Sequence, residues 1–151
     1  MSAKAPKVHP PPICPYCQAE AVWLADSSSI YRGTDYGPAW ICRPCDAWVG
    51  VHKGTTNALG RLADAELRKA KIAMHAVFDP LWRERMIRSG LSQGHARGKA
   101  YKWLAGELGI ERKDCHVGMF DLETCRRATE LCRPHLQRMV QASIQRRGSA
   151  R

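Results

Sequence analysis

Cys14-Pro-Tyr-Cys17 and Cys42-Arg-Pro-Cys45 are two Cys-x-x-Cys pairs separated by residues 18 to 41. Each pair sets two sulfurs on one tight turn. Two such turns facing each other close a tetrahedral four-thiolate site with Zn–S bonds of about 2.3 Å. Thiolates suit zinc, a borderline-soft ion that undergoes no redox change. A shell of four cysteines leaves no ligand position open, so one structural zinc ion is expected rather than a catalytic one. Two disulfides would use the same four residues, but the paired turns, each carrying a proline, fit metal ligation better. Three more cysteines, Cys115, Cys125 and Cys132, bring the count to seven. An odd number is unusual for a secreted disulfide scaffold and points to a reducing cytoplasm.

The residues around the knuckles read as a small antiparallel sheet. Val22-Trp23-Leu24, Ile30-Tyr31-Arg32, Ala39-Trp40-Ile41 and Ala47-Trp48-Val49-Gly50-Val51 are strand signals, with a turn over residues 33–38. A sheet this small buries too little apolar area to fold alone, and bound metal makes up the deficit. The expected organisation is a flexible lead over 1–12, a zinc ribbon over 13–56, a helical region over 57–147 and a frayed tail over 148–151. The fold class is α+β: an N-terminal zinc ribbon packed with a C-terminal region of about four helices.

Leu59, Leu62, Leu67, Ala70, Met74 and Val77 form the first helical stripe. Asp79-Pro80 is expected to end it and to cap a second helix over Leu81 to Arg88. Gly90, Gly94 and Gly98 suggest a flexible link. A third helix carries Ala100, Tyr101, Leu104 and Leu108, with Gly109 as C-terminal cap and Ile110 as its hydrophobic contact. The fourth starts at Asp121 and carries Leu122, Cys125, Cys132, Leu136, Val140 and Ile144, with Pro134 inside. No stretch approaches the roughly 20 apolar residues of a membrane span. Met1 to Lys7 lack the apolar core of a signal peptide.

The formal net charge is +10. Residues 1–60 hold five Lys/Arg against four Asp/Glu, but residues 61–100 hold nine against four and residues 126–151 seven against one. A field concentrated in this way attracts a polyanion, and nucleic acid is the commonest one in the cytoplasm. A solvated basic face is the bland alternative. Lys53, Arg68, Lys71, Arg126 and Arg127 are the candidate phosphate contacts. The loop His52-Lys53-Gly54-Thr55-Thr56-Asn57 adds hydroxyls at what is expected to be a helix N-terminus, although an ordinary capping loop explains it as well.

His52, His75, Asp79, His116 and Asp121 are the residue types of a metal-dependent nuclease centre. Nothing in their spacing brings them together, and helix capping explains Asp79 and Asp121. Cys115, His116, Cys125, Cys132 and His135 are the types for a second zinc site, but their spacing is irregular and core packing of the cysteines is favoured. Trp23, Trp40 and Trp48 either form the ribbon core or offer faces for stacking bases.

Cys14-Pro-x-Cys17, Tyr36-Gly-Pro38, Trp40-x-Cys-x-x-Cys45-Asp-Ala, Val49-Gly-x-His52-x-Gly-Thr55, Ala76-x-Phe-Asp-Pro-Leu-Trp82, Trp103-Leu-Ala-x-x-Leu-Gly-Ile110 and Cys115-His-x-Gly-Met-Phe-Asp121 extend over most of residues 14–132. Together they resemble an uncharacterised family of small zinc-finger-containing proteins of bacteria, phages and prophages. The resemblance implies the metal site and the biological setting but no activity. It departs from the wider zinc-ribbon pattern at Gln18 and Asp46, where a glycine commonly follows the knuckle. The reading that results is a non-enzymatic, nucleic-acid-binding zinc ribbon of phage or prophage type. The alternatives are a metal-dependent nuclease or nuclease accessory, and an adaptor for a host or phage protein complex.

Overall fold

The structure is a computed structural model that describes residues 8–149. The part of the expected lead over residues 1–7 lies outside them. Contacts divide the chain into two compact units, residues 1–68 and 69–151. The junction expected from the sequence, at residues 56/57, lies twelve residues earlier than this one.

In the first unit a three-stranded antiparallel sheet has the order β1 (Val22–Leu24), β2 (Ala39–Cys42), β3 (Ala47–Gly50). Val22 lies opposite Ile41, and Cys42 opposite Ala47. The central strand β2 is buried throughout. Cys14, Ala21, Trp40, Cys42, Ala47 and Leu62 form the core, with Cys45, Val49, Val51 and Ala58 against it. The first knuckle hangs on a bridge between Ile13 and Glu20. His9 is tied to Thr56 in both directions, its N–H donating to Oγ1 at 2.6 Å and its carbonyl accepting at 3.2 Å.

The strand expected at Ile30-Tyr31-Arg32 is a run of turns. Asp35 decides this. Its Oδ1 accepts from Ser27 N–H at 3.1 Å, Ser27 Oγ at 3.2 Å and Gly37 N–H at 2.9 Å, and these short-range bonds compete with a sheet ladder. Arg32 and Gly33 follow with φ of 53° and 94°, incompatible with an extended strand.

Residues 57–63 are not helical either. They run beside β3 through Leu59 N–H to Gly50 O at 2.9 Å and a reciprocal pair between Trp48 and Ala63. The helix α1 (Ala65–Ser89) starts later. Asp64 is its cap, accepting from Leu67 N–H at 2.9 Å.

The second unit holds three helices among the described residues, not four: the rest of α1, then α2 (Gln93–Leu108) and α3 (Leu122–Ser149). The two helices expected on either side of Asp79-Pro80 are one, because Pro80 lies inside α1. An interior proline costs about 3 kcal/mol. Phe78 and Trp82, 0% and 6% exposed, flank it. Each contributes about 1.5–3 kcal/mol when buried, enough to offset the cost. Asp79 is therefore not an N-cap but a mid-helix carboxylate.

The expected link across Gly94 and Gly98 shrinks to residues 90–92. Ser92 caps α2 through His95 N–H at 3.3 Å, and both glycines lie within the helix. At its other end, Gly109, the expected cap, has φ 69°; Gly109 N–H donates to Gly106 O and Ile110 N–H to Ala105 O, which is a Schellman arrangement. Two 3-10 turns, Arg112–Asp114 and Val117–Met119, lead to α3. Asp121 caps α3 through Thr124 N–H at 2.8 Å. Pro134 is inside α3, and the helix includes Gly148 and Ser149 of the expected tail; residues 150 and 151 are outside the described residues. Its stripe is buried at Cys125, Ala128, Thr129 and Cys132 but exposed at Val140 and Ile144. No helix among the described residues is long and apolar enough to cross a membrane.

Candidate metal centre and basic surfaces

Both knuckles are tight turns closed by their own backbone. Gln18 N–H donates to Cys14 O at 2.9 Å, Cys14 N–H to Ala19 O at 2.8 Å, and Asp46 N–H to Arg43 O at 3.2 Å. Gln18 and Asp46, the two positions where glycine is the common choice, have φ of 65° and 50°. The left-handed conformation that glycine usually supplies is thus kept without glycine.

The turns bring the ligand atoms of Cys14, Cys17, Cys42 and Cys45 within 4.8 Å of one another. Cys17 Sγ and Cys42 Sγ are 3.6 Å apart. A tetrahedron with bonds of about 2.3 Å has sulfur–sulfur edges of about 3.8 Å, whereas a disulfide needs about 2.05 Å. The four thiols are unbridged. Cys14 and Cys42 are buried, Cys45 is half-buried and Cys17 faces solvent.

Their surroundings act on Cys17 and Cys45 in opposite directions. The Ala19 backbone bond, with help from Cys42 and Cys45, holds the Cys17 thiol below its ordinary value. Desolvation, then the neighbouring Cys17, Cys42 and Cys14, push Cys45 up to about 12. Four adjacent thiolates repel one another, and a divalent cation at their centre reverses that balance.

Residues 10–135 match the family described as a zinc-finger-containing domain. The chain belongs to that family. No curated protein and no solved structure matches it. In this zinc-finger protein the family match and the four-cysteine cluster fit one structural zinc ion. Among the described residues no other group of three or more His, Cys, Asp or Glu side chains is arranged to hold a metal.

The remaining candidates are dispersed. Lys53 is exposed on a loop that is not at a helix N-terminus, since α1 begins at Ala65. The hydroxyls beside it are engaged: Thr55 Oγ1 donates to His52 O at 2.8 Å, and Thr56 Oγ1 bonds His9. His52 N–H donates to Asn57 O at 2.9 Å. Arg68 is folded back on the ribbon. Its Nη1 donates to Asp46 O at 2.8 Å and Ala63 O at 2.7 Å, and its Cζ is 3.4 Å from the Trp48 ring centroid. Arg126 and Arg127 are exposed on α3. Trp40 is 6% exposed, meets Trp23 edge-on at 5.0 Å and donates from Nε1 to Thr56 O at 2.8 Å.

His75 Nδ1 is 3.2 Å from Asp79 Oδ2, and Trp82 Nε1 donates to Asp79 Oδ1 at 3.0 Å. His116 stacks on Tyr101 at 5.7 Å, and its Nδ1 accepts from Gly118 N–H at 3.1 Å. Partial desolvation, then the charges of Arg97, Arg112, His75 and Lys71, lower its pKa. Lys71 Nζ donates to Gly118 O at 3.2 Å. Cys115, Cys125 and Cys132 are all 0% exposed. Burial and Cys115 push the Cys132 thiol up to about 11. His135 is engaged elsewhere, edge-on to Trp103 at 4.8 Å.

The second unit also holds a groove that no motif in the sequence marks. A recess of about 250 Å³ is lined by Leu81, Trp82, Arg85, Lys99, Ala100, Trp103 and His135. An adjoining depression shares Leu81, Arg85 and His135 and adds Arg88, Arg138 and Glu84. Glu84 is its one acidic lining residue, held by Arg88 at 2.6 Å and Arg146 at 3.7 Å. The signal was in the spacing. Trp82 and Arg85 are three apart, Lys99 and Trp103 four, His135 and Arg138 three. Each pair therefore shares a helix face.

Proposed function

We propose that this chain is a zinc-stabilised nucleic-acid-binding protein that holds phosphates through the basic helices of its second unit. The supporting observation is the groove just described, where Arg85, Arg88, Lys99 and Arg138 line continuous depressions with one acid. Each cation that neutralises a phosphate releases condensed counterions, which makes such a surface a polyanion site. The ribbon's part is structural: Arg68, read from the sequence as a phosphate contact, is used within it. Lys53, Lys71, Arg126 and Arg127 are supplementary contacts in this reading. The bacterial, phage or prophage setting and the reducing cytoplasm belong to the same proposal.

The nuclease alternative has less support. A catalytic metal needs a negative pocket, yet His116 faces Arg97, Arg112 and Lys71, and Asp79 is committed to His75 and Trp82.

The test is fluorescence anisotropy of the zinc-loaded protein with labelled DNA and RNA at several salt concentrations. Affinity falls with a log–log slope of about 0.7 to 0.9 per phosphate neutralised. Charge reversal at Arg85 and Arg138 together lowers that slope by roughly two. Absence of binding at low salt overturns the reading, and the adaptor function then takes its place.

A further inference from the structure

The recess on α1, α2 and α3 is more than a basic surface. Beside its cations it carries two tryptophans and the apolar side chains of Leu81 and Ala100. Trp82 is fixed, because it is 6% exposed and its Nε1 is anchored on Asp79 at 3.0 Å. Trp103 is half-buried. His135 braces one side of it edge-on at 4.8 Å and 78°. Arg138 Nη2 lies 3.0 Å from His135 Nδ1; because arginine can only donate, Nδ1 is the acceptor. The bond ties a cation to the aromatic wall.

Arg85 and Lys99 have no ion-pair partner among the described residues. Two cations without counter-charges beside an aromatic recess of about 250 Å³ suit a ligand that is both planar and anionic. A protein partner brings carboxylates and aromatic rings on separate residues, not a ring and an anion fixed on one repeating unit. A duplex brings phosphates but keeps its bases stacked inside. A single strand offers both, since its unpaired bases stack on aromatic side chains while its backbone follows a positive groove.

We propose that this recess holds one unpaired base of a single-stranded nucleic acid against Trp103, with the flanking phosphates on Arg85, Lys99 and Arg138. The inference rests on the nucleic-acid reading above and adds strandedness and the base-stacking residue to it. Trp82 is the rigid floor of the recess. The adjoining depression past Arg88 carries the strand onward.

The experiment uses the full, zinc-loaded chain with labelled single-stranded DNA, single-stranded RNA and a duplex of the same sequence. The wild-type protein binds a single strand at least about tenfold more tightly than the duplex, and the two single-stranded arms show which sugar is preferred. Trp103→Ala weakens single-strand binding by about 5- to 100-fold and leaves the salt slope and duplex binding unchanged. Trp103→Phe keeps affinity within about threefold, because the ring face is retained. A second readout does not depend on the alanine variant folding. Unlabelled single strand quenches tryptophan emission in the wild type and quenches it less in Trp103→Phe.

Equal or tighter binding of duplex overturns the proposal. So does an unchanged single-strand affinity in Trp103→Ala. In either case, if Arg85→Glu still lowers the salt slope, the phosphate-binding reading survives. Binding of neither form at low salt removes both.

Discussion

Arg68 donates to the main-chain oxygen of Asp46 at 2.8 Å, the residue that directly follows the last zinc ligand and has a φ of 50°. The same guanidinium lies 3.4 Å above Trp48 and donates to Ala63 O. The first turn of α1 is thereby clasped to the second knuckle inside the ribbon unit. The clasp helps to offset the cost of the left-handed conformation at Asp46, about 1–2 kcal/mol for a non-glycine residue.

Arg68→Ala is predicted to destabilise the zinc-loaded ribbon by about 1–3 kcal/mol, through the lost charged hydrogen bonds and the cation–π contact. A lower melting temperature and faster release of zinc to a chelator are the readouts. If stability is unchanged and nucleic-acid affinity falls instead, Arg68 is the phosphate contact that its charge first suggested.

Gln18 repeats the geometry at the first knuckle without such a clasp. Its side chain makes one exposed bond, Nε2 to Pro15 O at 3.3 Å. Gln18→Gly should therefore raise stability by about 0.5–1 kcal/mol, since glycine adopts φ 65° without steric penalty. Thermal denaturation of the zinc-loaded protein measures this, and a decrease would show that Gln18 is held by more than its backbone.

The metal ligands were legible in the sequence because ligand spacing is a local property, fixed by turns of four residues. So were the Gly109 C-cap and the Asp121 N-cap, whose partners lie within a few residues. The errors at the helices came where tertiary burial outweighed local preference, and the error at the strand came where nearby side-chain hydrogen bonds outweighed strand composition. Pro80 reads as a helix end, but Phe78 and Trp82 bury on both sides of it. Gly94 and Gly98 read as a link, but Ala96 and Tyr101 between and beyond them are buried. Ile30-Tyr31-Arg32 has strand composition, yet the carboxylate of Asp35 ties Ser27 to Gly37 and turns the chain. The basic groove was not legible because its residues come from three helices, and sequence shows only the pairs within each.

Cys132→Ala is expected to leave zinc content unchanged and to cost about 1 kcal/mol or somewhat more, as for a small truncation at a fully buried site. Metal analysis and chemical denaturation decide this together. Loss of one metal equivalent would assign Cys132 to a second site.

His116 sets a pH dependence. Its folded pKa lies below the ordinary 6.5 because of desolvation first, and then of the electrostatic influence of Arg97, Arg112, His75 and Lys71. The folded state thus favours the neutral ring. Its contribution to stability is complete above pH 6.5 and declines as pH falls from there through the folded value. The ring is exposed, so the effect is small. An NMR titration should place His116 below 6.5, and His116→Gln should flatten the melting temperature between pH 7 and 5. Titration at or above 6.5 contradicts this.

The most direct measurement of the whole account is native mass spectrometry of the purified chain, paired with X-ray absorption at the zinc edge. One zinc per chain is predicted, bound by four sulfurs at about 2.3 Å, and Cys42→Ser should lose both the ion and the folded ribbon. A folded chain without zinc, or a zinc held by nitrogen or oxygen in place of Cys14, Cys17, Cys42 or Cys45, contradicts it.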